Sequence, residues 1–274
     1  MFRCEWWGRL HTRMGIRADL ALELNEFHLV YQPQICIETG LVTGVEALIR
    51  WRSEKLGLVM PLEFISLSEE SGMIVPIGEW ALRTACRQGR DLQLSMGRPL
   101  TIAVNVSPRQ FQQSDLPQMI ARILEEAELA PSCLELEITE TVLIGDLPGP
   151  KATLEKIRSL GVHIAIDDFG TGFSSMAYVL RFRVGRLKID QSFIREMVFD
   201  KDSCAITSAV IALAKGLHIG VVAECVETRT HRDILLSLGC DEAQGYFYAR
   251  PVPMADIPGV ILAIEQTAVA TAAA

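Results

Sequence analysis

The sequence predicts an α/β protein built as a (β/α)8 TIM-like barrel variant with one antiparallel strand. Three observations predict it. Candidate helices stop at glycine and lead straight into apolar runs: EKIRSL to Gly161 and VHIAID, AVIALAK to Gly216 and HIGVVAE, DILLSL to Gly239 and DEAQGYF. Glycine just past a helix is its common stop, and repeated helix–strand units imply right-handed crossovers and a parallel sheet. About eight candidate strands then fit the usual size of a single barrel. Finally, two apolar runs flank the tight turn Glu38-Thr39-Gly40, which reads as a hairpin and supplies the one reversed strand.

The elements follow in order. Residues 1–16 form an N-terminal extension with no assigned fold, and Trp6-Trp7 cap the lead-in at most. Residues 17–26 read as a short amphipathic lead-in helix to a domain spanning 17–266. Strands are expected near 28–32, 44–50, 101–106, 133–138, 162–167, 186–189, 219–223 and 242–247. The stripe Ile206, Val210 and Leu213 reads as core packing on a helix. His163 reads as a packed strand residue, and His11 and His231 as solvated. Residues 267–274 are an Ala-rich tail expected to fray.

Bulk properties narrow the class. The chain has 274 residues, enough for one domain with a sizeable core, and 49% are hydrophobic. That fits strands buried on both faces. A net charge of −8 argues against a nucleic-acid polymer as partner. Seven cysteines, with no pair at CxxC spacing, argue against a disulfide framework or zinc knuckle and suit a reducing compartment. No secretory signal or uninterrupted membrane segment is apparent, so a cytoplasmic location is expected.

Polar groups recur inside or at the ends of apolar runs: Glu46, Asn105, Glu137, Asp167-Asp168, Lys188, Glu224 and Gln244. A core strand carries such groups only if something compensates them, and convergence on one cationic site is the economical explanation. Barrel chemistry sits at the C-terminal strand ends. Glu46, Asn105, Glu137, Asp167, Asp168 and Glu224 all offer oxygen, which selects Mg²⁺ or Mn²⁺ over zinc. Five carboxylates in one cavity favour two ions over one. Two ions are a standard device for phosphodiester hydrolysis, because they activate water and stabilise the displaced oxygen. Lys188 would add positive charge near the water or phosphate, and Arg50 could clamp a phosphate. Asp167 and Asp168 can share a site only if their strand ends there. The following Gly170-Thr171-Gly172 reads as a turn ahead of a phosphate cradle.

Together these residues resemble the EAL domain, a bacterial cyclic di-GMP phosphodiesterase family. The resemblance runs from about Ala18 to Pro253 and rests on YQPQ (31–34), EALIRW (46–51), FIxxxEExG (64–72), NVS (105–107), LELEITE (134–140), DDFGTGFSS (167–175), LKID (187–190), AECVET (223–228) and QGYFYARP (244–251). It implies hydrolysis of cyclic di-GMP to linear pGpG on two Mg²⁺ or Mn²⁺ ions held by Glu46, Asn105, Glu137, Asp167, Asp168 and Glu224. Lys188 matches the catalytic lysine, and Glu224 also matches a proposed general base. Gln32 and Arg50 match substrate contacts, with Asp168 and Gln244 beside them. Gln244 would be an amide next to the metals or on a water. Glu140 matches the residue that holds the DDFGTG loop and links catalysis to dimerisation. The resemblance thus implies a homodimer and allows an upstream sensory or diguanylate-cyclase-like domain. Two departures stand out: Cys225 replaces a glycine after Glu224, and Gly185 an aspartate before LKID. The competing expectation is a catalytically weak module acting as a cyclic di-GMP receptor or protein-interaction domain.

Overall fold

The computed structural model describes residues 21–113, 115–142, 148–170, 179, 182 and 184–272. The N-terminal extension, Trp6-Trp7, His11, most of the lead-in helix and the loop from Thr171 lie outside them. Of the lead-in, Ala21–Glu23 are helical.

Among the described residues ten strands form one sheet: β1 (Phe27–Cys36), β2 (Val42–Ser53), β3 (Gly57–Val59), β4 (Thr101–Asn105), β5 (Leu134–Thr139), β6 (His163–Phe169), β7 (Arg186–Ile189), β8 (Gly220–Ala223), β9 (Glu242–Ala243) and β10 (Val252–Pro253). All eight expected strands are among them. The order β1-β9-β8-β7-β6-β5-β4-β2 closes through a β1–β2 pairing, so eight strands make a barrel. From β2 through β4 to β9 every pairing is parallel. Of the eight barrel strands β1 alone is reversed, and closure sets it antiparallel to both β2 and β9. The reversal comes from the turn after Cys36, where Gly40 takes φ 71° and donates its N–H to the Cys36 carbonyl at 2.8 Å.

Helices α1 (Pro61–Ser71), α2 (Ile74–Met96), α3 (Pro108–Phe111), α4 (Leu116–Ala127), α5 (Pro148–Ser159), α6 (Gln191–Glu196), α7 (Lys201–Gly216), α8 (Arg229–Leu238) and α9 (Ile257–Ala272) surround it. The main core lies between strands and helices, with Ile102, Leu134, Leu136, Ile164, Leu187 and Val221 facing outward from the barrel onto Leu82, Ile123, Leu154 and Ile211. Period-two alternation therefore puts the other residues of each strand inside the barrel.

Several details differ from the sequence reading. Helix α9 carries the Ala-rich stretch as far as Ala272. His163 is exposed, because it opens β6 at the solvent end of the barrel. His231 is buried, and its Nδ1 accepts the Glu227 N–H at 3.3 Å beside the start of α8. Ile206 is 40% exposed, since the inward stripe of α7 is Thr207, Val210, Ile211 and Ala214. The strand near 242–247 pairs only over Glu242–Ala243, after which the chain turns.

β2 is long for a reason that matters to the site. Gly44–Ala47 pair with β4 inside the barrel, whereas Trp51–Ser53 leave it to pair with β3. A second apolar cluster, Ala21, Phe27, Trp51, Val59, Phe64, Leu67 and Ile77, anchors this overhang. The Trp51 ring meets Phe64 edge-on at 5.6 Å and Phe27 at 5.5 Å, contacts worth about 0.5–1.5 kcal/mol each beyond burial. The buried Glu26 carboxylate accepts Trp51 Nε1–H at 2.8 Å and the Glu54 N–H at 2.9 Å. The overhang is thus held from both sides.

Candidate active site

Inside the barrel, residues two apart on one strand form two polar storeys. The lower storey is Arg186 of β7, which donates to Glu135 of β5 at 3.1 Å and to Glu242 at the start of β9 at 3.1 Å. The upper storey, two residues further along the chain in each case, is Lys188, Glu137 and Gln244. Sequence reasoning missed the lower storey, although the spacing Glu135–Glu137, Arg186–Lys188 and Glu242–Gln244 signals it.

Lys188 is the centre of the upper storey and is completely buried. Its Nζ lies 2.7 Å from Glu224, 2.8 Å from Glu137, 3.2 Å from Asp167 and 3.6 Å from Glu46. Burial alone would push the ammonium toward neutrality, but the four carboxylates outweigh it and hold its pKa well above the ordinary lysine value. Glu46 accepts Asn105 Nδ2–H at 2.7 Å and Gln244 Nε2–H at 2.5 Å. Gln244 also donates to Gln32 Oε1 at 3.1 Å, and Gln32 in turn to the Ala249 carbonyl at 3.0 Å. Gln34, which the sequence reading did not single out, is buried with its Nε2 at 3.5 Å from Glu137.

The protonation pattern follows from crowding. Burial raises Glu46, but Lys188, Gln244, Glu137 and Asn105 reverse this and hold it below the usual carboxylate range. Glu137 is pushed well above that range by burial and by the Glu46 charge, despite Lys188. Asp168 rises to about 6 through burial, Asp167 and Asp190, and Glu224 to about 8 chiefly through burial, against Lys188. Like charges in one cavity cannot all ionise without added cations.

Asp167 and Asp168 meet by a route that the sequence did not disclose. β6 does not end at Asp167 but runs on to Phe169. Its pairing to β7 shifts register between Ile166 and Phe169, and Asp168 takes φ 54°. This bulge turns both carboxylates to one side. Asp167, Asp168 and Glu224 then offer oxygens within 4.8 Å of one another, a group that could hold a metal ion. The donor set is all oxygen, so the residues fit a hard divalent ion. Glu46 stands mid-strand rather than at a strand end, because β2 continues into its overhang.

The backbone beyond Phe169 is fixed by Glu140, whose Oε1 accepts the Gly170 N–H at 3.0 Å. That N–H is therefore engaged in a turn and not open to phosphate. Thr171 and Gly172 lie outside the described residues. Asp190, also absent from the sequence-derived set, caps α6 through the Ser192 N–H at 2.9 Å and faces Asp168.

Two chain turns frame Glu224. Cys225 takes φ 56°, and its Sγ–H points to Gln191 Oε1 at 3.7 Å and Glu227 Oε1 at 3.9 Å. Val226 donates to the Gln244 carbonyl at 3.0 Å, and Gln244 donates to that of Ala223 at 2.9 Å. A Cβ on Gly245 would lie 2.2 Å from the Val226 carbonyl oxygen, so only glycine allows this close approach. Arg50 is half-buried outside the acidic cluster, with Nη1 on the Ile49 carbonyl at 2.9 Å, within electrostatic reach of Tyr246 and Glu46.

Comparison with known proteins shows the family. A family model described as EAL domain matches residues 17–251. The chain belongs to the EAL domain family. The bifunctional diguanylate cyclase/cyclic di-GMP phosphodiesterase MucR of Pseudomonas aeruginosa is 44% identical over 85% of this chain and 34% of its own length. The signaling protein YkoW of Bacillus subtilis is 41% identical over 89% of this chain and 30% of its length. The chain thus spans about a third of the curated relatives it matches. Among solved structures, the PaMucR phosphodiesterase in complex with c-di-GMP superposes with a TM-score of 0.85 at 41% identity, covering 89% of this chain and 99% of that chain. The EAL enzyme Bd1971, with cAMP and cyclic di-GMP bound, gives 0.88 at 34% identity over 93% and 69%. No helix among the described residues is long and apolar enough to cross a membrane.

Proposed function

We propose that this EAL domain hydrolyses cyclic di-GMP to linear pGpG with two divalent ions, Mg²⁺ or Mn²⁺. The observation that carries the reading is the burial of one lysine among four carboxylates beside the Asp167–Asp168–Glu224 oxygen cluster. The ions would be held by Glu46, Asn105, Glu137, Asp167, Asp168 and Glu224. When bound they lower the pKa of water and neutralise charge on the scissile phosphate.

The chain's own groups divide the remaining work. Gln244 and Asn105 fix both oxygens of Glu46. Glu224 accepts a proton from the attacking water. The water oxygen bonds to phosphorus, the phosphorus–O3′ bond breaks, and the released O3′ takes up a proton. Lys188 supplies fixed positive charge as negative charge builds on the phosphoryl oxygens. Gln32 and Arg50 orient the dinucleotide from β1 and β2. Glu140 holds the turn after Phe169, and so the bulge that presents Asp168.

Product analysis with Mg²⁺ tests this. The receptor reading draws only on Cys225, whose positive φ sits next to Glu224. It leaves the complete set of polar groups around Lys188 without a role.

A further inference from the structure

The inner face of the β1–β2 pair does not stop at the acidic cluster. Glu46, Leu48, Arg50 and Arg52 alternate onto one face of β2 and continue it along the overhang. On β1 they are matched in register by Gln32, Val30 and His28, and the Arg52 N–H pairs with the Glu26 carbonyl at 2.9 Å. A strand rises about 3.4 Å per residue. Arg50 therefore stands about 14 Å along the strand from Glu46 and Arg52 about 20 Å, before their side chains lean back. His28 lies opposite Arg50 in register, two residues from Arg52, and burial, Arg52 and Arg50, in that order, depress its imidazole. This cationic strip lies in a chain of net charge −8. The Arg250 guanidinium covers the exposed Tyr246 ring at 4.2 Å.

An ion pair does not explain Arg52. It is exposed, and no described carboxylate lies within ion-pair distance of it, while Trp51 and Ser53 on either side are buried and held by Glu26. A rigid backbone thus presents a guanidinium at the outer end of a line that begins at the acidic cluster. A ligand that fills the line carries its reacting phosphate at Glu46 and an acceptor-rich group near Arg52. Guanine offers two adjacent acceptors, N7 and O6, that a guanidinium meets with two parallel hydrogen bonds, whereas adenine puts an N6 donor there.

We infer that Arg52 reads the N7/O6 edge of the far guanine and sets the preference for guanine over adenine in the bound cyclic dinucleotide. The inference rests on the cyclic di-GMP reading above. It is tested by comparing the wild-type chain with Arg52→Ala, a solvent-side change that leaves the acidic cluster untouched. Rates with Mg²⁺ are measured on cyclic di-GMP, cyclic di-AMP and the small diester bis(p-nitrophenyl) phosphate, with calorimetric Kd values for both dinucleotides. The expected result is a KM and Kd for cyclic di-GMP raised roughly 5- to 100-fold, the range of a bidentate base contact, with values for cyclic di-AMP and the small diester nearly unchanged. Unchanged cyclic di-GMP values overturn the inference. Equal losses for both dinucleotides overturn it too, since they mark a contact blind to the base. Failure of the phosphodiesterase reading looks different: the wild type then binds cyclic di-GMP without hydrolysing it, and the Kd comparison still decides the role of Arg52.

Discussion

The Lys188 ammonium lies 2.7 Å from the Glu224 carboxylate. In this arrangement the lysine is the internal counter-ion for four carboxylates. Its removal and the removal of a proposed metal ligand should therefore differ in their effect on metal affinity. Lys188→Ala is expected to lower kcat at least about 100-fold, as loss of a preorganised charge does, while metal affinity is kept. Glu46→Ala should abolish turnover and weaken metal binding. Metal titration of both variants checks the split, and severe metal loss in both contradicts it.

Metal binding should release protons. Asp168 and Glu224, pushed up to about 6 and about 8, hold protons below those values. An ion must displace them, so apparent Mg²⁺ affinity is expected to climb as pH rises from 6 to 8 and to fall as pH drops. Calorimetry in buffers of differing ionisation enthalpy measures the release. An affinity flat across that window argues against the assignment.

Glu140→Ala should leave the metal ligands in place yet lower turnover about 10- to 100-fold, the scale of one lost charged hydrogen bond. Hydrogen exchange should show earlier opening at Gly170. Wild-type turnover together with unchanged protection at Gly170 rules the role out.

Cys225→Gly is a test in the opposite direction. A side chain at φ 56° is strained, and glycine relieves about 1 kcal/mol or more. The variant should melt higher and keep or gain activity. A lower melting point would mean that the Sγ–H contacts to Gln191 and Glu227 outweigh the strain.

The sequence revealed the barrel because its signals were local: glycine stops after helices, apolar runs and one tight turn. It revealed the upper storey because Glu46, Glu137, Lys188 and Gln244 interrupt apolar runs. The lower storey was legible only through its two-residue spacing from the upper one. The Asp168 bulge was not legible, since it arises from a register shift against β7 set by long-range pairing. Ile206, His163 and His231 went astray for the same reason. Which face of a helix or which end of a strand is covered depends on what packs there, and no local pattern states it.

Turnover is read by a single incubation. The purified chain is incubated with cyclic di-GMP and Mg²⁺, and the nucleotides are separated and weighed by mass spectrometry. One linear product is expected, pGpG, heavier by one water, absent with EDTA and formed at least about 100-fold more slowly with Lys188→Ala. Recovery of intact cyclic di-GMP after saturable binding would contradict it and leave a receptor in place of an enzyme.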